Sequence, residues 1–121
     1  MVKMFFFLSA KPIIDFANYI CGIDTIKEYK GRIQKATKET IIPWHGDNAF
    51  ERKLALSINI SPKEYQGAEV LCRKKDQPEK IERIKVNIGD AFLIRIDADY
   101  EHCLTPITGD NDKVHIIGWF N

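Results

Sequence analysis

Three side chains of this sequence have the types and spacing to hold a metal ion. His45 is followed two positions later by Asp47, and His102 lies far downstream, just before an apparent strand. Where a strand opens into a loop, residues i and i+2 can be brought to the same side, so this imidazole and carboxylate can bind one ion together. The alternative is a turn in which Asp47 accepts backbone hydrogen bonds and both histidines are incidental.

Two histidines and one carboxylate leave three positions of an octahedral ion open. This ligand set suits non-haem Fe(II) sites, because a cosubstrate and dioxygen can both reach the ion. The sequence therefore makes His45, Asp47 and His102 candidates for catalytic metal ligands.

Short β-strands are the elements that must position these residues. Leu54–Ile60 and Ile84–Ile88 alternate between apolar and polar residues, which is the period of half-buried strands. Frequent Gly and Pro residues divide the rest of the chain into short segments. The further predicted strands are Lys27–Ala36, Thr40–His45, Gly67–Arg73, Ala91–Ile96, His102–Pro106 and Lys113–Phe120. About eight short strands are typical of a small barrel, sandwich or jelly roll.

The N-terminal region has a different pattern. Lys11–Cys21 is predicted to be a helix, with Ser9 as its cap, Pro12 in its first turn and Gly22 at its end. The apolar run Met1–Leu8 is too short to span a bilayer and is predicted to be a buried strand.

Composition indicates one globular domain. The chain has 121 residues, of which 45% are hydrophobic and 29% are charged, and its formal net charge is +1. We expect a single domain over residues 1–121, with an N-terminal strand and helix at 1–26 and the β region at 27–121. The charge argues against nucleic acid as a partner. The three cysteines form no CxxC pair, and we expect them to be reduced, in a cytoplasmic protein without a membrane partner.

Six motifs follow one another between about residues 30 and 120. They are Trp44–Asp47, Leu56–Asn59, Gln66–Val70, Asn87–Phe92, His102–Pro106 and Lys113–Phe120. In this order and spacing they resemble the 2-oxoglutarate and Fe(II)-dependent oxygenase superfamily, and most nearly its prolyl-4-hydroxylase-like branch. The resemblance implies a mainly β fold, a double-stranded β-helix (jelly roll) with one N-terminal helix. It also implies that His45, Asp47 and His102 hold Fe(II).

The same resemblance implies a binding site for the cosubstrate 2-oxoglutarate. Lys113 would form a salt bridge to its far carboxylate, His115 would point inward beside it, and Ser57 occupies the place where some relatives have a tyrosine. His115 and Ser57 are departures from the family pattern. The alternatives are a solvated turn charge at Lys113, neutralised by Asp112, and a core polar residue at His115.

The function implied by the resemblance is hydroxylation with 2-oxoglutarate and dioxygen. The substrate is left open between a prolyl residue and a small metabolite, and a homodimer remains an alternative to a monomer. A non-catalytic jelly-roll or cupin-like binding module that has lost cosubstrate binding is the rival interpretation. A cupin-like metalloenzyme is a second rival, but its ligand sets are richer in histidine. Arg32, Arg83 and Arg95 are assigned to solvated strand faces, with selection of an acidic substrate group as the alternative.

Overall fold

The computed structural model describes residues 2–49 and 51–121. Two helices precede eight strands. The helices are α1 (Val2–Leu8) and α2 (Lys11–Cys21). The strands are β1 (Tyr29–Ala36), β2 (Ile42–His45), β3 (Leu54–Asn59), β4 (Val70–Lys74), β5 (Glu82–Ile84), β6 (Ala91–Arg95), β7 (Tyr100–Leu104) and β8 (Lys113–Phe120).

The strands form two antiparallel sheets of four strands each. One sheet has the order β1-β8-β3-β6 and the other has the order β2-β7-β4-β5. Except for the hairpin β4–β5, consecutive strands alternate between the two sheets. The register places His45 of β2 directly opposite His102 of β7. Because successive side chains of a strand point to opposite faces of its sheet, those of β8 point alternately into the space between the sheets and towards the helices.

Helix α2 has the predicted bounds, but its N-terminus is built differently. Pro12 lies in the first turn, and Gly22 ends the helix in the left-handed conformation at φ 66°. The cap residue is Ala10, which makes no side-chain hydrogen bond, so the prediction of Ser9 as the cap is wrong. The Ser9 hydroxyl instead accepts a hydrogen bond from the Tyr29 backbone N–H at 2.9 Å. Ser9 thereby ties the helices to the start of β1.

The prediction of a strand at Met1–Leu8 is wrong for the described residues, since Val2–Leu8 forms a helix. Met1 lies outside the described residues. Leu8 is buried and Met4 and Phe5 pack against the same core, whereas Phe6 is 74% exposed. A short apolar run has no alternation, so its pattern alone cannot separate a strand from a helix.

The strand predictions agree with the structure except near β5. The apolar–polar alternation at Ile84–Ile88 predicted a strand, but β5 ends at Ile84. Asn87–Asp90 is a turn instead, in which the Asp90 carboxylate accepts a hydrogen bond from the Asn87 N–H at 3.0 Å. Gly89 has φ 88°, a conformation that favours glycine. The turn leads directly into β6.

The main core lies between the helices and the sheet β1-β8-β3-β6. Its buried members are Leu8, Ile14, Ala17, Cys21, Ile26, Tyr29, Leu54, Leu56 and Phe120. Burial of these side chains fixes the face of β8 that carries Phe120, so the opposite face is turned to the second sheet. Within residues 2–49 and 51–121, no helix combines the length and apolar character needed to cross a membrane.

Gly118 is the position where this core leaves no room for a side chain. A Cβ there would collide with the Lys30 carbonyl and lie 2.7 Å from the Tyr29 hydroxyl oxygen. We expect Gly118→Ala to lower the free energy of unfolding by about 1–3 kcal/mol, because backbone must shift to accept the methyl group. Chemical denaturation measures this loss. Gly109→Ala is the control, since its nearest neighbour is the exposed Gln66 side chain; an equal loss in both variants would contradict the packing argument.

Candidate metal centre

The pairing of β2 with β7 brings two histidines side by side. His45 ends β2 and is the cross-strand partner of His102, and the register shifts between Ile42 and His45. The two imidazole rings lie 4.4 Å apart, tilted by 57°. The chain then leaves the strand, and the Asp47 carboxylate lies within 3.5 Å of the Nε2 atoms of both rings. The distant histidines of the sequence thus meet through strand pairing.

The three side chains offer ligand atoms at metal-binding spacing. Asp47 Oδ1 is 3.5 Å from His45 Nε2, and Asp47 Oδ2 is 3.2 Å from His102 Nε2. One ligand atom from each residue lies within 4.8 Å of the others. His45 Nδ1 is 2.8 Å from the Pro43 carbonyl, to which it must donate, so Nε2 keeps its lone pair. This donor set, two imidazoles and one carboxylate, fits a divalent cation such as Fe(II).

Asp47 is buried but remains an anion. Burial raises the pKa of its carboxyl, but the hydrogen bond from His102 lowers it, and the Trp119 indole and the nearby imidazoles add to this effect. The net pKa lies below its ordinary value. Trp119 Nε1 itself is buried and reaches no partner within hydrogen-bond limits among the described residues. The carboxylate is therefore ready to bind a cation at neutral pH.

A cavity of about 380 Å³ opens between the sheets at these three residues. Its walls include apolar side chains from both sheets. Among them are Ile42, Val70, Phe92, Ile94, Leu104 and Ile117. This size and lining suit a small organic ligand held by a few polar groups.

Lys113 lies deeper in the protein than the sequence alone could show. Its side chain is 1% exposed, and its ammonium donates a hydrogen bond to the Ala68 carbonyl at 3.4 Å and lies 5.9 Å from the centre of the Tyr65 ring. Asp112, the suggested neutralising partner, pairs with Lys35 at 3.3 Å instead, so the alternative of a solvated turn charge is wrong. Burial lowers the pKa of Lys113 to about 8. Lys113 does not line the cavity but lies behind His115, two residues earlier on the same face of β8.

His115 and Ser57 lie together on the cavity wall. His115 Nδ1 is 3.5 Å from the Ser57 hydroxyl, and both side chains are buried. Burial lowers the pKa of His115 to about 4, and the charges of Lys113 and Arg32 act in the same direction. Its Nε2 has no hydrogen-bond partner among the described residues. The imidazole is therefore neutral, with one nitrogen free for a ligand.

Two arginines line the cavity, and one of them carries no signal in the sequence. Arg32 is exposed, as expected for a solvated strand face, but it also lines the cavity, together with Arg52. Arg83 is also exposed, and it pairs with Glu69. The alternation of β1 could have found Arg32, because it shares a strand face with Gln34. Arg52 precedes β3 in an irregular segment and carries no such signal.

The buried ammonium makes stability depend on pH in a definite direction. Below pH 8 the folded state contains the buried cation, whereas the unfolded state keeps its proton up to about pH 10.5. Between pH 8 and 10.5 the unfolded state therefore binds more protons than the folded state, and the free energy of unfolding rises with pH. We expect wild type to gain free energy of unfolding relative to Lys113→Met from pH 8 to 10.5. Urea denaturation at several pH values measures the difference; a constant gap would contradict the burial of a charged Lys113.

Two solved structures share the fold of this chain. An oxidoreductase of the 2OG-Fe(II) oxygenase family from Burkholderia pseudomallei matches 98% of this chain with a TM-score of 0.78 and 14% identity. A Pseudomonas putida prolyl-4-hydroxylase matches 79% of it with a TM-score of 0.63 and 10% identity. This chain covers 55% and 52% of their respective lengths. No protein-family model and no curated protein matches the sequence.

At these identities the likeness establishes the fold. The resemblance drawn from the six sequence motifs is therefore confirmed at the level of architecture. The structure corrects one detail, because two helices rather than one precede the strands.

Proposed function

We propose that this chain is an Fe(II)- and 2-oxoglutarate-dependent dioxygenase that hydroxylates its substrate, built on a double-stranded β-helix. The observation that carries the proposal is the convergence of His45, Asp47 and His102, with ligand atoms within 4.8 Å of one another, on the wall of a largely apolar cavity. The shared fold of the two solved oxygenases supports it.

His45, Asp47 and His102 would hold the iron through two imidazole nitrogens and one carboxylate. With 2-oxoglutarate and dioxygen, a ferrous ion supplies the oxidative decarboxylation to succinate and carbon dioxide that is coupled to hydroxylation of a C–H bond. The Pro43 carbonyl fixes the tautomer of His45, and Asp47 would balance part of the charge of the ion. Three protein ligands would leave coordination positions for other ligands.

Lys113, His115 and Ser57 would bind 2-oxoglutarate. The Lys113 ammonium is buried without a carboxylate partner among the described residues, which is a costly arrangement unless an anion completes it. The unpartnered Nε2 of His115 lies on the cavity wall in front of it. A dicarboxylate would therefore meet a hydrogen-bonding group first and a fixed positive charge at its far end.

The apolar walls would exclude water and orient the substrate. A prolyl residue and a small metabolite are the substrate classes that the family likeness suggests.

Succinate formation tests this proposal. We expect the purified chain, supplied with Fe(II), 2-oxoglutarate and oxygen, to release succinate slowly even without substrate, and omission of iron to stop it. Calorimetry with Mn(II) as an inert substitute separates the rival function. Metal binding without any 2-oxoglutarate binding would contradict the dioxygenase and favour a non-catalytic binding module.

A further inference from the structure

A second depression, of about 400 Å³, adjoins the metal cavity and is rich in positive charge. Its lining residues are Lys30, Gly31, Arg32, Arg52, Trp119 and Asn121, and they include no Asp or Glu side chain. Arg32, Arg52 and Trp119 also line the metal cavity, so the two spaces meet at these three side chains. We refer to this region, lined by these six residues, as the cationic depression.

Trp119 supports both arginines. The guanidinium of Arg52 lies 3.6 Å from the centre of the indole ring, and that of Arg32 lies 6.0 Å from it. Stacking on an aromatic ring restricts a guanidinium while leaving its N–H groups available at the edge.

Arg32 stands out among the basic residues of β1. Lys30 pairs with Glu28 at 3.1 Å, and Lys35 pairs with Asp112 at 3.3 Å. Arg32, the one that lines the metal cavity, has no ion pair among the described residues. The acidic side chain on the cavity wall is Asp47, which already contacts both imidazoles. The positive charge of Arg32 is therefore not balanced by the protein where substrate would enter.

We propose that the cationic depression binds a carboxylate group of a small-molecule substrate, with Arg32 as its main partner and Arg52 beside it. A planar carboxylate matches the paired N–H groups of a guanidinium. The remainder of such a molecule would extend past Trp119 into the apolar cavity, towards the metal centre. This inference rests on the proposed function, because it names the class of substrate for that site, but the binding itself needs no iron.

The indole N–H resonance of Trp119 reports on this depression in the NMR spectrum of the metal-free chain. Trp44 is the other tryptophan, and Trp44→Phe identifies which signal belongs to Trp119. The probes are N-acetylglycine and N-acetylglycinamide, which differ mainly in charge. We expect N-acetylglycine to shift the Trp119 signal saturably and the amide to bind at least about tenfold more weakly, because it lacks the charge-assisted hydrogen bonds.

Two variants separate Arg32 from general electrostatics. Arg32→Gln should weaken N-acetylglycine at least about tenfold, since the charged partner is lost. Lys35→Gln removes an equal charge from the same strand outside the depression and should titrate like wild type. Lys113→Met should also titrate like wild type, because the cosubstrate site is separate. Arg32 is exposed, so its replacement leaves the fold intact.

Several results would overturn the inference. They are no saturable shift with N-acetylglycine, equal affinity for the amide, an unchanged titration in Arg32→Gln, or a lost titration in Lys113→Met. Inorganic phosphate binding tenfold more tightly than N-acetylglycine would overturn the carboxylate assignment. Failure of the proposed function would look different: succinate would not form, while the Trp119 titration and its dependence on Arg32 would remain.

Discussion

Asp47→Ala is expected to lower the affinity for Fe(II) by at least about 100-fold and to abolish succinate formation from 2-oxoglutarate. Loss of a group that only orients a metal ligand already lowers metal affinity by about 10–100-fold, and Asp47 would be a ligand itself. It is also the anion between His45 and His102, at 3.5 and 3.2 Å. Without it, two neutral imidazoles face the cation with no compensating charge. Anaerobic calorimetry measures the metal affinity.

Asp110→Ala is the matched control, because that carboxylate is exposed and pairs with Lys38 at the surface. It should bind Fe(II) like wild type. Circular dichroism of both metal-free variants checks that the sheets remain folded. Tight Fe(II) binding by Asp47→Ala, or equal losses in both variants, would show that the ion does not bind at this centre.

Lys113→Met is expected to weaken the binding of 2-oxoglutarate and to stabilise the folded protein. The dissociation constant for 2-oxoglutarate should rise by about 100-fold, because a buried charge pair of this kind is worth about 2–5 kcal/mol. The free energy of unfolding without cosubstrate should also rise, by about 1–4 kcal/mol, because a buried ammonium is replaced by an apolar side chain of similar length. Calorimetry with Mn(II) present and urea denaturation measure the two effects.

Lys35→Met provides the control for this pair of measurements. Lys35 is an exposed lysine on β1. The Lys35→Met protein should therefore match wild type in its affinity for 2-oxoglutarate and in its free energy of unfolding. A structural role for Lys113 predicts the reverse pattern. A Lys113→Met protein that unfolds more easily and still binds 2-oxoglutarate tightly would contradict its assignment to the cosubstrate.

The periodicity of the sequence is sufficient to predict most of the fold. Strand β8 has its predicted bounds because turn residues precede it and because both of its faces carry buried residues. Met1–Leu8 could not be assigned in the same way. An apolar run whose single charged residue, Lys3, sets no period fits either a helix or a strand, and only the packing of Leu8 and Phe5 against the core decides between them.

The candidate site was predictable where its residues lie on regular strands. His45 and His102 are cross-strand partners, and the order of the motifs was enough to bring them together. The burial of Lys113 was expected from the family resemblance and not from periodicity, because it follows a polar turn and only the closure of the sheets removes it from water. Arg52 was missed for a related reason, since its contact with Trp119 joins an irregular segment to a distant strand.

Anomalous diffraction at the iron absorption edge, from crystals grown with Fe(II) under argon, tests the central claim most directly. The account predicts one iron peak shared by His45 Nε2, His102 Nε2 and an Asp47 carboxylate oxygen, and no peak there in Asp47→Ala crystals. An iron peak elsewhere, or none between these three side chains in the wild-type protein, would contradict it.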